Sequence, residues 1–190
     1  AYYGLPREVT SVQFAIAFLG LNEVYRMVLS LSVINTLAID KKDELNEFWF
    51  HSFYAALCTK YLAKKYEPHL SVEELWSAAM LHDIGIFLTA APTIGCTGSQ
   101  PYIRHGILAR EILEQCGLAR HALVCERHVG VGLTAADIRQ YSLPLPERDM
   151  LPITLEEQIV CYADKFYSKN GSDRATGKNI AAVLNSLEPY

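Results

Sequence analysis

Six residues in this chain have the types and placement to do chemistry: His51, the adjacent pair His82 and Asp83, His105, His128 and Asp164. Five of them fall inside helical apolar patterns. Imidazole and carboxylate groups are scarce there, because burying them costs free energy unless partners offset it. Imidazole is the commonest metal-binding side chain. Clustered His and Asp suit hard-to-borderline divalent cations such as Fe, Mn and Zn. If the six converge in space they make a metal centre. If they do not, little else in the chain names a chemistry.

Each residue also has a blander reading. His82 and Asp83 follow the apolar run Ala78-Ala79-Met80-Leu81 and precede Ile84-Gly85. Neighbours on a helix differ by about 100°, so both heads can reach one ion, and the small Gly85 lets another backbone approach. A capping Asp83 with a core histidine is the alternative. His51 lies in FWFHSFYAA, where an imidazole needs a partner or a wet edge. His105 opens RHGILAREIL and His128 ends CERH; alone, each reads equally well as a helix-end histidine. Asp164 follows Val160, Cys161, Tyr162 and Ala163, where a lone carboxylate is costly. His121 reads as a substrate-binding or a surface histidine, and His69, after Pro68, as a solvated one.

The elements that must position these groups are helical. Val12, Ala15, Ile16 and Leu19 share one face, and Gly20 ends that helix. Asn22 caps a second run through Leu37. A long helix is predicted over 43–66, broken by Pro68. Ser71 opens a capping-box pattern for a helix to His82, closed by Gly85. Residues 90–101 form a Gly/Pro/Ser/Thr-rich loop. Helices are predicted from Ile103 to Gln115, Ala119 to His128 and Thr134 to Tyr141. Thr154 caps another that runs to Tyr167, and Asn170-Gly171-Ser172 is a turn before a weaker helix near 178–187. No internal repeat and no persuasive strand interrupts this pattern, so the class is all-α.

Composition narrows the partners. The chain has 190 residues, 51% of them hydrophobic, and a net charge of −4. A nucleic-acid duplex is an unsuitable partner, because phosphate-backbone binding needs a basic face. The five cysteines form no CxxC pair, which reads as reduced, mostly buried thiols in a cytoplasmic protein. The longest apolar stretch, Met27 to Ile39, is shorter than the roughly 20 residues that span a bilayer, so no membrane is expected. Beginning at Ala1, the chain is expected to be a piece of something longer.

The order H…HD…D, with LHDIG at Leu81–Gly85 and YADK at Tyr162–Lys165, resembles the HD-domain metal-dependent phosphohydrolases. The fuller set H…HD…H…H…D resembles their two-metal members. The resemblance implies an HD-domain helical bundle with a two-metal site in its core over residues 41–190, and an N-terminal helical extension over residues 1–40. AYYGLPREVTSVQFAIAFLG together with FWFHS is similar to part of an HDOD domain, an often non-catalytic signalling relative. From HDIGIF onward the chain is similar to small bacterial HDIG phosphohydrolases. A joining of the two would account for both halves.

Carried to these positions, the resemblance implies that His51, His82 and Asp164 hold one divalent ion, His105 and His128 a second, and that Asp83 bridges them. A hydroxide shared by two ions about 3.5–4 Å apart would be the nucleophile. Fe or Mn is implied rather than Zn, since no thiolate takes part, and Mg is disfavoured by so many imidazoles. Many members carry Lys directly after HDIG, where this chain has Ile86. Lys165, Arg104 and Arg127, each beside a ligand, are the candidates to make its phosphate contact. The implied function is hydrolysis of a small, nucleotide-like phosphate ester or anhydride. Two alternatives stay open: a mixed-valence di-iron oxygenase of the same superfamily, such as myo-inositol oxygenase, and a non-catalytic HDOD-like signalling module. The module would be expected to have lost ligands, and none is missing. A homodimer is left open.

Overall fold

The computed structural model describes residues 42–167 continuously, together with residues 11–21, 24, 25, 28, 31, 32, 177–179 and 181–183. Among these, the architecture is all-α apart from one two-residue strand pair. Helix α1 (Val12–Leu19) ends at Gly20, whose φ of +87° is the left-handed conformation that stops a helix without strain. The second run and the last helix predicted from the sequence lie mostly outside the described residues, as does the turn at Asn170.

Helix α2 (Lys42–Tyr66) is the long strut. Its small residues Ala55, Ala56 and Ala63 are buried, which lets α3 (Val72–Leu81) pack closely along it. Ser71 caps α3 by accepting a hydrogen bond from the Glu74 amide at 3.3 Å. Gly85 does not close that helix, as the spacing predicts. Helix α3 ends at Leu81, and Gly85 sits inside a following 3-10 helix, Ile84–Leu88.

The predicted loop at 90–101 is an ordered hairpin. Ala90–Ala91 pairs antiparallel with Cys96–Thr97, and Gly95 turns the chain at φ +80°. Two-residue strands are too short to show a period-2 pattern, which is why composition alone reads as loop.

A 3-10 turn, Tyr102–Arg104, leads into α4 (His105–Gln115), which packs against α5 (Ala119–Arg127). Thr134 and Thr154 head α6 (Ala135–Gln140) and α7 (Leu155–Asp164) with full capping boxes, using Asp137 and Glu157. Helix α7 stops at Asp164, earlier than the predicted Tyr167, and packs on α2, α3 and α5.

Two of the apolar clusters are built largely from the helices that carry the six residues. One gathers Phe48, Leu81, Ile84, Ala109 and Leu113; the other gathers Ala56, Leu75, Ala79, Val124 and Val160. All five cysteines are free; Cys96, Cys125 and Cys161 are buried, whereas Cys116 is exposed. No helix among the described residues is long and apolar enough to cross a membrane.

Candidate metal centre

Helix α2 delivers His51 from its middle. The end of α3 delivers His82 and Asp83, the start of α4 His105, the end of α5 His128 and the end of α7 Asp164. All six are buried, from 0% exposed for His82 and Asp83 to 9% for Asp164.

Two glycines permit the convergence. A Cβ on Gly85 would overlap the His105 carbonyl and the Ala109 amide, so only glycine lets the 3-10 segment lie against α4. A Cβ on Gly106 would meet the Cys125 carbonyl, so glycine also sets the approach of α4 to α5. The close approach expected at Gly85 is therefore seen. The role of Gly106 carries no separate signal in the sequence.

The six residues form two clusters that share one carboxylate. In the first, His51 Nε2 lies 2.9 Å from Asp164 Oδ1, 3.3 Å from Asp83 Oδ2 and 3.3 Å from His82 Nε2. His82 Nε2 lies 3.3 Å from Asp83 Oδ2 and 3.2 Å from Asp164 Oδ1. In the second, His105 Nε2 and His128 Nε2 are 3.2 Å apart and lie 3.4 and 3.2 Å from Asp83 Oδ1. Each Asp83 oxygen thus serves one cluster.

The donor set fits divalent cations. Metal–ligand bonds of about 2.0–2.2 Å give ligand–ligand edges of roughly 3.0 Å in an octahedron and 3.4 Å in a tetrahedron, the range seen here. Proton placement points the same way. His82, His105 and His128 each donate Nδ1–H to the carbonyl three residues earlier, those of Ala79, Tyr102 and Cys125, at 2.7, 2.8 and 2.7 Å. These bonds fix the tautomer that leaves Nε2 with its lone pair. The inward faces are therefore imidazole Nε2 atoms and carboxylate oxygens, the donors a divalent cation takes once any proton shared among them is displaced.

The local charges differ across the centre. Burial works against a charged His82, but the Asp83 and Asp164 carboxylates outweigh it and raise its pKa to about 9. Burial likewise acts on His128, and there it wins, lowering the pKa. Burial opposes an ionised Asp164, yet Lys165, His51 and His82 hold its carboxyl well below the usual range.

The three basic candidates are placed differently. Lys165 Nζ donates to Asp164 Oδ2 at 2.6 Å and to the His128 carbonyl at 3.1 Å, so it is part of the centre. Arg127 is not brought in: its guanidinium is held by both Glu157 oxygens at 2.8 and 2.9 Å. The capping glutamate of α7 takes the charge that adjacency to His128 had suggested was available. Arg104 is half-buried, with its Nε unpaired among the described residues. Ile86 is buried in the apolar core. His121 hydrogen-bonds Ser77 at 2.7 Å, and His69 lies 3.5 Å from Glu67 at the surface.

Two features escape a reading by residue type. Tyr102 supplies the carbonyl that orients His105 and lays its ring 4.8 Å from that imidazole. Glu126, only 3% exposed, is gripped by Arg110 and Arg148 and ties the 142–150 segment to α5. The first has no signal in the sequence, because every residue has a carbonyl three positions earlier and only the fold shows which one a histidine meets. The second has none either, because its two arginines meet Glu126 only in the fold.

The chain matches the HDOD domain family model over residues 1–129. It belongs to the HDOD family. In this HDOD chain the matched stretch runs past the 1–40 extension and contains every cluster residue except Asp164. An uncharacterized protein of Methanocaldococcus jannaschii is 40% identical over 102 residues, 53% of this chain and 52% of that protein. Two proteins named tRNA (cytidine(56)-2'-O)-methyltransferase are also similar. The one from Picrophilus torridus is 34% identical over 112 residues, 55% of this chain and 29% of that protein. The one from Thermoplasma volcanium is 28% identical over 108 residues, 56% and 28% respectively. The chain thus spans about half the length of the first relative and under a third of the other two. No solved structure matches it.

Proposed function

We propose that the protein is a metal-dependent phosphohydrolase of the HD type, acting on a small, nucleotide-like phosphate ester or anhydride in the cytoplasm, with Fe or Mn as its ions. The observation that carries this reading is the division of Asp83: Oδ1 faces His105 and His128, and Oδ2 faces His51 and His82. His51, His82, Asp83 and Asp164 would hold one ion, and Asp83, His105 and His128 would hold the other. Two ions so held would supply water activation near neutral pH and a clamp on phosphate oxygens.

The remaining residues prepare that centre. The carbonyls of Ala79, Tyr102 and Cys125 aim the imidazoles. Lys165 is a positioning residue: by neutralising Asp164 Oδ2 it leaves Oδ1 for the first cluster. Arg104, beside His105 and without an acidic partner among the described residues, is the cation available to a substrate phosphate. The matched segment is under a third of the two methyltransferases, and no methyl transfer is proposed here.

Membership of the HDOD family favours a second reading, a signalling module that does no chemistry. The intact six-residue centre supports the enzyme instead. Metal analysis, phosphate release from a panel of phosphate esters and anhydrides, and oxygen uptake by the iron-loaded protein separate the readings. Bound metal with phosphate release is the expected result. Oxygen uptake without phosphate release identifies a di-iron oxygenase. Well under one metal per chain identifies the module.

A further inference from the structure

The second cluster stands at the open end of a helical hairpin. Helices α4 and α5 are joined by the short turn 116–118, with Gly117 at φ +76°. His105 opens α4 and His128 follows α5, so the two imidazoles lie at the end away from that turn. Ala109 and Leu113 of α4 share one apolar cluster with Ala122 and Cys125 of α5. No chain connection closes the open end, so its spacing depends on the contacts made there. Gly106 supplies one of them, against the Cys125 carbonyl.

Glu126 supplies a second. It is only 3% exposed, and a buried charge is costly unless it is paired. Its Oε2 accepts from Arg110 Nη1, which ties α5 to α4. Its Oε1 accepts from Nε and Nη2 of Arg148, which ties α5 to the 142–150 segment. Arg110 is itself aimed by Glu114, one turn further along α4, which accepts from its Nε at 2.8 Å. One carboxylate oxygen thus grips the helix that carries His105, and the other grips a segment that carries none of the six residues.

The second cluster depends on such a clasp more than the first. It has three donors, whereas the first has four. A small splay of the hairpin separates His105 Nε2 from His128 Nε2, which lie 3.2 Å apart. No fourth donor among the described residues makes up that loss. We propose that Glu126 and Arg110 are positioning residues for the second cluster: their ion pair sets the spacing of His105 and His128, while the Arg148 arm of the same carboxylate serves the fold alone. The inference rests on the reading of the two clusters as metal sites.

Calorimetric titration of the metal-free full chain with Mn(II) tests this, the second ion being the one lost in His128→Ala. Arg110→Met and Arg148→Met are matched variants, because each leaves Glu126 one arginine and no unpaired buried charge. Arg110→Met should weaken the second ion about tenfold or more, the usual effect of losing an outer partner on metal affinity, with the first ion unchanged. Arg148→Met should lower the thermal midpoint and leave both ions at wild-type affinity. Arg110→Lys, which can still make the single contact to Oε2, should recover most of the loss. Equal weakening in the two methionine variants, or a second ion indifferent to Arg110→Met, overturns the clasp and leaves the two-metal reading intact. A wild type that takes up no second ion overturns that reading, and the clasp with it. If Arg110→Met unfolds, Glu126→Gln, which keeps the side chain's shape and removes its charge, takes its place and should show the same selective loss; equal loss of both ions there overturns the clasp.

Discussion

The two clusters share Asp83 and differ in almost everything else. The first draws His51, His82 and Asp164 from helices α2, α3 and α7, and with Asp83 it offers four donors. It also carries the Lys165 ammonium on its rim. The second has His105 and His128, and with Asp83 only three. It exists because Gly85 and Gly106 let backbones close together. More donors from independent helices should hold an ion more firmly. Fewer donors leave more positions open to water and substrate. If both clusters hold ions, the first would hold its ion more firmly and the second would leave more positions open.

Asp83→Ala removes the one group common to both clusters, and it should have the largest effect. Both ions and all turnover should be lost together, as read by metal analysis alongside phosphate release. Retention of either ion at full occupancy would show that the clusters are independent. Single-cluster variants sharpen the difference. Asp164→Ala should cost the first ion and His128→Ala the second, each leaving about one per chain and cutting turnover by at least about 100-fold. His128→Ala should leave the tighter ion behind, which competition with a chelator would show. Equal affinities for the ion left in the two variants would erase the distinction.

The two clusters were unequally legible in the sequence. His82, Asp83 and Asp164 stand out because charge at the end of an apolar helical run needs a reason, and the caps at Ser71 and Thr154 place their helices correctly. His105 and His128 look like ordinary helix-end histidines until the backbone approach at Gly106 is known, and that approach is a property of the fold. Arg127 reads as a phosphate contact by adjacency, because Glu157 is remote in sequence and its capture of the guanidinium is tertiary. The hairpin within 90–101 was hidden by its brevity.

Smaller changes probe how each cluster is built. Gly106→Ala should destabilise the fold by about 1–3 kcal/mol, the usual cost of overpacking, and should loosen the second ion more than the first. A thermal melt read with metal stoichiometry checks both. Uniform loss of the two ions would mean that the glycine serves the fold only.

Proton competition should also divide the clusters. Metal binding displaces protons from imidazole. The folded pKa of His82 is raised to about 9, so first-site affinity should climb with pH up to that value and fall below it. His128 is lowered from its ordinary value, so the second site should be flat across the same range and weaken only under more acid conditions. Metal titrations at several pH values give the two slopes. Matching slopes would contradict the assigned charges.

The two clusters joined at Asp83 would hold a bridged pair of ions. Titrating metal-free protein with Mn(II) while recording its electron paramagnetic resonance tests it most directly. Two ions per chain with a magnetically coupled signal that collapses in Asp83→Ala are expected. Saturation at one ion, or two ions with the uncoupled signal of isolated Mn(II), would contradict it.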